Sequence, residues 1–353
     1  MHSLKCRITI NVELTKNNNA ILISRSSTLK SYLKLYNKEG KYVKAIVMKN
    51  TVVNKQLRYY WKSRYLLLLL LPGILFYIIF RYKPMYGILI AFKDYRLIAG
   101  VWGSPWQDLE FYRRTFLSNS FWDVFKNTLI LSSYKLIIGF PAPIILALLL
   151  NEVRNMMFKR VVQTISYIPY FISWVVLSGI FIDILSPSSG PVNFILKSLT
   201  GKTVYFLGDS AYFRGTMVSL SIWKGIGYGA VVYLAALAGV NPEIYEAATI
   251  DGANRWKQAI FITLPSLMPI IIILFILNIG SIVEDDFDQI FNFYKPAVYG
   301  VGDVLSTYVY RQGIRQMQYS YATAVGLFQN ILAFILVYFA NKIANKIGEY
   351  GVW

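Results

Sequence analysis

The sequence contains one cysteine, Cys6, and one histidine, His2, both near its beginning. A single cysteine excludes an intramolecular disulfide framework and a multi-cysteine metal site. With no histidine after residue 2, histidine-based metal clusters and Ser-His-Asp catalysis are excluded from the rest of the chain. The sequence also lacks the G-x-x-x-x-G-K-[ST] pattern of a phosphate-binding loop, so it predicts no ATP site of that kind.

Charged residues are scarce as well. They make up 15% of the 353 residues, against about 25% in a soluble domain. Hydrophobic residues reach 56% and the mean hydropathy is +0.45, which is typical of a membrane protein. Residues 1–64 hold 14 Lys and Arg against two Glu, so +12 of the net charge of +18 lies before the first apolar segment. A basic segment beside a membrane span marks the cytoplasmic side more often than a nucleic-acid site.

Six apolar segments predict six transmembrane helices, because a helix needs about 20 residues to cross the hydrocarbon layer. They lie at residues 65–80 (extended to Trp61), 128–150, 163–185, 216–240, 265–283 and 322–341. The basic residues of the first 64 positions and of loop 151–162 place both termini in the cytoplasm. Segment 81–127, with seven basic and four acidic residues, is discordant. We therefore predict an all-α membrane protein.

This pattern divides the chain into four parts. We predict a basic, partly disordered cytoplasmic extension at 1–60, with a short basic helix at about 52–64 on the membrane surface. The first transmembrane helix and an outer segment occupy 61–127. A core of five transmembrane helices occupies 128–342, and a cytoplasmic tail occupies 343–353.

The segment 241–264 is charged although it separates two apolar spans. Asn241 is a suitable N-cap, and Pro242 fits the first helical turn. Gly252 supplies a left-handed stop, and Asn254 caps a second helix. Pro265 then begins the next span. The sequence predicts two short helices joined at Gly252, and an ordinary hairpin between two spans is the alternative. The charged side chains available on these helices are Glu246, Asp251, Arg255 and Lys257.

The spacing of this segment resembles a known motif. Glu246-Ala247-Ala248, three residues, Gly252, nine residues, Ile262, one residue and Leu264 resembles the EAA loop of permease subunits in binding-protein-dependent ABC importers. The stretches RYKPMYGILIAFKDY (81–95), residues 222–253, and FDQIFNF (287–293) followed by TYVYRQG (307–313) resemble the permeases of oligo- and polysaccharide uptake. The resemblance covers about residues 55–350.

The resemblance implies a type I ABC importer permease of a bacterial cell membrane, with six transmembrane helices and no catalytic activity of its own. It implies that the loop docks as a coupling helix into a cleft of a cytosolic ATPase. Glu246 would face the cleft, Ala247 and Ala248 would permit close packing, and Gly252 would set the turn, with Asp251 and Arg255 beside them.

The same resemblance implies partners. The chain itself would bind no cofactor, because two ATPase subunits would bind ATP and magnesium. A second permease, in a heterodimer, would complete the path. An extracellular or lipid-anchored solute-binding protein would deliver an oligosaccharide or polysaccharide.

Two regions are candidates for the substrate path, because sugars bind to aromatic faces and to a few well-placed polar groups. In the fourth span these are Trp223, Gly225, Tyr228 and Tyr233, and the alternative for Trp223 is an aromatic at the membrane interface. At the outer end of the fifth span they are Asp285, Asp286 and Gln289. We predict that the two aspartates accept hydrogen bonds from the substrate, and the alternative is a solvated outer loop.

Lys135 in the second span is expected to reach toward the interface or to meet a carboxylate, with a role in transport as the alternative. Two other classes of function are alternatives. An ion-coupled secondary transporter would use Lys135 with Asp285, Asp286 and Asp288 as carriers. A membrane enzyme acting on lipid-linked sugar would use Asp285, Asp286 and Asp288 with a divalent metal ion.

Overall fold

A computed structural model describes residues 63–283 and 286–348, together with the backbone of four short strands before residue 44. The chain forms two units, residues 1–85 and 86–353. Apart from those strands, the predicted extension at 1–60 lies outside the described residues. So do the surface helix at 52–64, except for its last two residues, and the end of the tail from residue 349.

The first unit contains two antiparallel hairpins and the beginning of a long helix. The strands pair as β1 with β2 and β3 with β4: β1 Asn11–Leu14, β2 Ala20–Ile23, β3 Leu35–Tyr36 and β4 Tyr42–Val43. Helix α1, Arg64–Tyr77, continues as a π-helical turn, Ile78–Tyr82, and as a 3₁₀ helix, Lys83–Phe92. Its leucines are largely exposed, as in a helix that contacts lipid or another subunit.

The described part of the second unit consists of helices and connecting loops, with an isolated β-bridge between Lys93 and Trp106. Its α-helices are α2 Gly100–Gly103, α3 Glu110–Leu117, α4 Asn119–Tyr134, α5 Pro141–Glu152, α6 Met156–Phe171, α7 Trp174–Ile184, α8 Pro191–Thr200, α9 Ser210–Leu237, α10 Pro242–Ile250, α11 Arg255–Gln258, α12 Leu264–Gly280, α13 Phe287–Phe293, α14 Tyr299–Gly302, α15 Leu305–Tyr310 and α16 Tyr319–Gly348. The π-helical turns are Lys135–Gly139, Ala259–Thr263 and Arg311–Arg315, and a 3₁₀ turn is Pro296–Val298.

The described helices agree with the prediction of six membrane spans. Among the described residues, five helical runs are long and apolar enough to cross a membrane, and a bent pair of helices makes a sixth. The five runs are Arg64–Phe92, Asn119–Glu152, Ser210–Leu237, Arg255–Gly280 and Tyr319–Lys346. The predicted all-α membrane fold is confirmed, and the predicted spans fall within or beside these runs.

The third span differs from the continuous helix predicted at 163–185. It consists of α6 and α7, whose axes form an angle of 105°. Pro169 near the end of α6 lacks an N–H, and Ile172 and Ser173 are extended. The Ser173 hydroxyl then accepts a hydrogen bond from the backbone N–H of Val176 and caps α7. Proline and a serine cap together end one helix and begin another.

The fifth span also begins earlier than predicted, at Arg255 rather than at Pro265. The π turn Ala259–Thr263 joins α11 to α12, so the helical run continues past Pro265. A π turn displaces the backbone that a proline ring meets in a regular helix. The second helix of the 241–264 segment is therefore the first turn of a membrane span.

The long helix α9 lies against both α5 and α6, and glycine permits the close approach. A Cβ added at Gly227 would overlap the backbone carbonyl of Ser166 on α6. Small residues allow this kind of backbone contact between membrane helices. On the α5 side, Ala230 packs with Ala147 and with Leu267 of α12 in one buried cluster.

We expect Gly227→Ala to destabilise the folded chain, because the added methyl group meets backbone that moves only with its helix. Gly225→Ala is the matched control, since a Cβ there meets no atom of the described structure within 4 Å. The measurement is the thermal unfolding of the purified, detergent-solubilised assembly. Equal melting temperatures for the two variants would contradict this account of the α9–α6 contact.

A buried ion pair holds the segment between the fifth and sixth spans. Asp303 is 4% exposed, and it accepts hydrogen bonds from the guanidinium of Arg311 and from the Thr307 hydroxyl. The carboxylate raises the pKa of Arg311 above its ordinary value by hydrogen bonding. The guanidinium also lies 5.3 Å from the ring centre of Tyr299 and 5.6 Å from that of Tyr308. The pair therefore fixes α14 against α15.

Candidate coupling hairpin and translocation cavity

The segment Asn241–Leu264, called here the coupling hairpin, has the predicted caps. The Asn241 side chain accepts a hydrogen bond from the backbone of Glu243, and the Asn254 side chain accepts one from Lys257. Gly252 has a φ of +79°. The Gly252 N–H donates to Thr249 and the Ala253 N–H to Ala248, the two bonds of a Schellman motif.

Side chains close the two arms of the coupling hairpin onto each other. The Gln258 amide donates to the Thr249 hydroxyl at 2.9 Å and to the Ala253 carbonyl at 3.1 Å. The Tyr245 hydroxyl lies 3.0 Å from that of Thr263. Since Thr263 belongs to the run Arg255–Gly280, α10 is fastened directly to the fifth span.

The predicted coupling residues are accessible. Glu246, Ala247, Asp251 and Gly252 are exposed, and Ala248 is half-buried. The sequence reasoning gave no role to the exposed apolar side chains of the same hairpin, among which Ile250 is 86% exposed and Trp256 is 74% exposed. The signal for these two side chains in the sequence is their position next to helix caps and charged residues.

Arg255 has a partner within the chain. Its guanidinium donates to the backbone carbonyl of Glu152 at 3.2 Å and lies 3.6 Å from the Glu152 carboxylate. Both side chains are partly exposed. The coupling hairpin therefore lies at the same end of the bundle as loop 151–162, as the predicted topology requires.

A cavity of about 590 Å³ lies between α4, α5, α9 and α12. This volume is within the range of ligand pockets. The polar and aromatic members of the lining are Ser132, Lys135, Phe140, Ser221, Tyr228, Tyr233, Asn278, Ser281 and Asp286. Gly225, which has no side chain, also lies in the lining. Of the predicted path residues, the structure brings Gly225, Tyr228, Tyr233 and Asp286 together here.

Aromatic and cationic groups border this cavity where α6 ends. The Tyr228 ring stacks on that of Tyr170, with centroids 3.9 Å apart and planes 5° from parallel. Tyr228 is 45% exposed and contributes to the cavity lining. The Lys224 ammonium donates to the Tyr170 carbonyl at 2.6 Å and lies 5.4 Å from the Trp174 ring centre.

Two of the predicted path residues, Trp223 and Gln289, have other surroundings. Trp223 packs edge-on against Phe181, with ring centres 5.2 Å apart, and lies outside the cavity lining. Gln289 is fully buried behind the wall. Asp285 lies outside the described residues. The roles of these residues in transport stay predictions.

Asp286 is held at the cavity wall by its neighbours. One carboxylate oxygen accepts a hydrogen bond from the Trp174 indole at 2.7 Å, and the other caps α13 through the backbone of Gln289 at 3.3 Å. Lys224 is close enough to interact with it electrostatically. This arrangement joins α7, α9 and α13, a structural role that the sequence reasoning did not include.

A family model for the "binding-protein-dependent transport system inner membrane component" matches residues 139–347. The chain belongs to this family. It is 44% identical over 292 residues to protein LplB of Bacillus subtilis, covering 83% of this chain and 92% of the relative. It is 40% identical over 311 residues to the polygalacturonan/rhamnogalacturonan transport system permease protein YteP of the same species, covering 88% and 97%.

A solved structure is similar as well. A bacterial ABC transporter involved in the import of the acidic polysaccharide alginate contains a chain with 40% identity and a TM-score of 0.77. The match covers 83% of this chain and 99% of that one. Together these findings confirm a permease subunit of the carbohydrate-uptake ABC importers. The chain is a non-catalytic membrane component, and the ion-coupled transporter and the membrane enzyme were wrong alternatives.

Proposed function

We propose that this permease imports oligosaccharides that contain uronic acids and that cytosolic ATPases drive it through the coupling hairpin. The observation that carries the proposal is the hairpin itself. It is closed by its own caps and side-chain bonds, it is fastened to the fifth span, and it presents Ile250 and Trp256 outward. In this proposal the ATPase subunits, and not this chain, bind ATP and magnesium.

The hairpin has the composition of a docking element. Tryptophan in a desolvated pocket is a frequent source of binding energy at interfaces, and exposed Ile250 and Trp256 lie on either side of the turn. Glu246 and Asp251 add negative charge beside them. A cleft with apolar walls and basic residues at its rim would be complementary to this surface.

The connection between hairpin and membrane supports a mechanical role. Because α11 runs through a π turn into α12, displacement of the hairpin moves the fifth span. The Tyr245–Thr263 and Arg255–Glu152 contacts link this movement to α10 and to the end of α5. ATPase closure would thus rock the bundle between inward- and outward-facing states.

The same contacts support a cytoplasmic position for the hairpin. Loop 151–162, with Arg154, Lys159 and Arg160, lies at the hairpin end of the bundle. Basic loops are retained in the cytoplasm. We place the hairpin and both termini there, with an external solute-binding protein on the opposite side and a second, related permease completing the path.

The proposed substrate class rests on the relatives. YteP is named for polygalacturonan and rhamnogalacturonan, and the alginate importer for an acidic polysaccharide. A second structure of that importer holds a periplasmic protein bound to an alginate pentasaccharide. Relatives named for lactose and arabinooligosaccharides are only 28% and 27% identical. The higher identity favours a glycan with carboxylates.

Docking is tested by co-purification of the ATPase with the tagged permease assembly. We expect Ile250→Asp with Trp256→Ala to reduce the retained ATPase at least about tenfold, because an apolar contact is lost and a charge is buried. Leu199→Asp is the matched control, since Leu199 is 78% exposed on α8, which the topology places at the outer end. Undiminished ATPase with the double variant would overturn the proposed docking surface.

A further inference from the structure

The segment between the first two membrane runs contains a stretch without charge. The run Arg64–Phe92 ends before this segment, and the run Asn119–Glu152 begins after it. Since Glu152 meets Arg255 of the coupling hairpin, the segment lies at the opposite end of the bundle from the hairpin. Residues 97–106 read LIAGVWGSPW, with no Asp, Glu, Lys or Arg among them. We call these residues the apolar tip.

Backbone hydrogen bonds close the base of the apolar tip. The N–H groups of Asp94 and Gln107 each donate across the base at 2.9 Å. They form the antiparallel bridge between Lys93 and Trp106. The two ends of the apolar tip are therefore held side by side, directly after the end of a membrane run.

A buried lysine supports the apolar tip from inside. Lys93 is only 3% exposed, and its ammonium donates to the carbonyl groups of Val101 at 2.8 Å and Trp102 at 3.4 Å. The ammonium also lies 4.8 Å from the ring centre of Trp106. A buried charge requires such partners, because it has lost its water. Lys93 is therefore a positioning residue for the turn that carries the tip.

The large apolar side chains of the tip are exposed although its backbone is held from inside. Ile98 is fully exposed, Trp102 is 78% exposed, and Leu97 and Trp106 are exposed as well. A cluster of exposed apolar side chains marks an interaction surface. Tryptophan together with aliphatic residues is typical of segments that lie in the headgroup region of a bilayer.

We propose that the apolar tip inserts into the bilayer leaflet opposite the coupling hairpin and anchors the first two spans there. Two observations favour lipid over a protein partner. Both ends of the segment continue into membrane runs, which keeps the tip close to the membrane boundary. An interface with a receptor that must also be released has a polar rim, whereas the tip carries no charge. The inference does not depend on the substrate and goes beyond the proposed function.

The test measures the depth of a nitroxide label by electron paramagnetic resonance. Cys6, the single cysteine of the sequence, is replaced by serine, and Ile98→Cys carries the label. The complete importer is reconstituted in vesicles of phosphatidylcholine and phosphatidylglycerol. Collision rates of the label are measured with oxygen, which enters lipid, and with a water-soluble nickel chelate.

Thr203→Cys is the matched control, since Thr203 is exposed in the loop between α8 and α9 at the same end of the bundle. We expect the ratio of oxygen to nickel collisions to be at least about tenfold higher at position 98 than at position 203, because interfacial segments lie roughly 5–10 Å below the membrane surface.

Each alternative occupant of the tip gives a different result. Equal ratios at positions 98 and 203 would overturn the proposal, because the tip would then lie in water. Loss of nickel collisions only after the solute-binding protein is added would assign the tip to that receptor instead. A label at position 98 that neither reagent reaches would show that protein, such as the second permease, covers the tip.

Lys93→Met tests the positioning role, because it keeps the apolar stem and removes the ammonium. We expect this change to make the label at position 98 more mobile and to lower its collision ratio. Arg96→Met is the matched control, since Arg96 pairs with Asp94 at the surface. Equal spectra for the two variants would contradict the role of Lys93, and gel filtration checks that both assemblies form.

Discussion

Gly252→Val is expected to reduce import by at least about tenfold while the membrane core still folds. Gly252 has a φ of +79°, a conformation that a β-branched residue adopts only at considerable cost. A Cβ there meets no atom of the described structure within 4 Å, so the effect comes from the backbone alone. The Schellman bonds to Ala248 and Thr249 would be lost, and α10 would no longer be held at the angle that α11 requires.

A graded series tests this explanation. Left-handed backbone costs about 1–2 kcal/mol for an ordinary L-residue and less for asparagine. Import should therefore fall in the order Gly, Asn, Ala, Val, by about tenfold for each 1.4 kcal/mol. Import and ATPase stimulation are measured in liposomes, with gel filtration as the control for assembly. Wild-type import by Gly252→Val would show that the turn geometry is irrelevant to coupling.

Asp303→Ala should have the largest effect on stability. Removing the carboxylate leaves the Arg311 guanidinium, whose side chain is 22% exposed, without its ion-pair partner. Breaking a buried pair in this way costs about 3–5 kcal/mol. For a chain of this size we expect the melting temperature of the purified assembly to fall by roughly 5–15 °C.

Two comparisons show whether burial is the cause. Asp94→Ala breaks an exposed pair with Arg96, whose side chains are 42% and 68% exposed, and exposed pairs contribute about 0–1 kcal/mol. Asp303→Ala combined with Arg311→Met removes both charges and should be milder than Asp303→Ala alone. If Asp94→Ala and Asp303→Ala lower the melting temperature equally, the buried pair has no special role.

The coupling hairpin was predictable because its signals are local. An asparagine cap, a proline in the first turn and a glycine with a left-handed backbone each act within a few residues of chain. The caps at Asn241 and Asn254 and the positive φ of Gly252 agree with the prediction. The continuation of α11 through Pro265 was not predictable from such signals, because it depends on a π turn.

The lining of the cavity, in contrast to the hairpin, was not predictable from local signals. Periodicity and composition identified the helices but could not reveal which polar side chains in them meet. Gln289 was predicted to line the path, yet it is buried and bonds to Lys135, 154 positions away along the chain. The 105° bend between α6 and α7 brings Trp174 to Asp286, a contact across 112 positions.

The sequence by itself determined the membrane fold, the family and the hairpin, since these depend on hydrophobic runs and on short-range caps. Only the tertiary structure decided which face of each helix lines the cavity, because polar groups in apolar surroundings pair with whatever the packing brings near. Lys135 is an example of both. Its helix was evident from the sequence, whereas the direction of its side chain depends on the hydrogen bonds to Gln289 and from Gln289 to Met217.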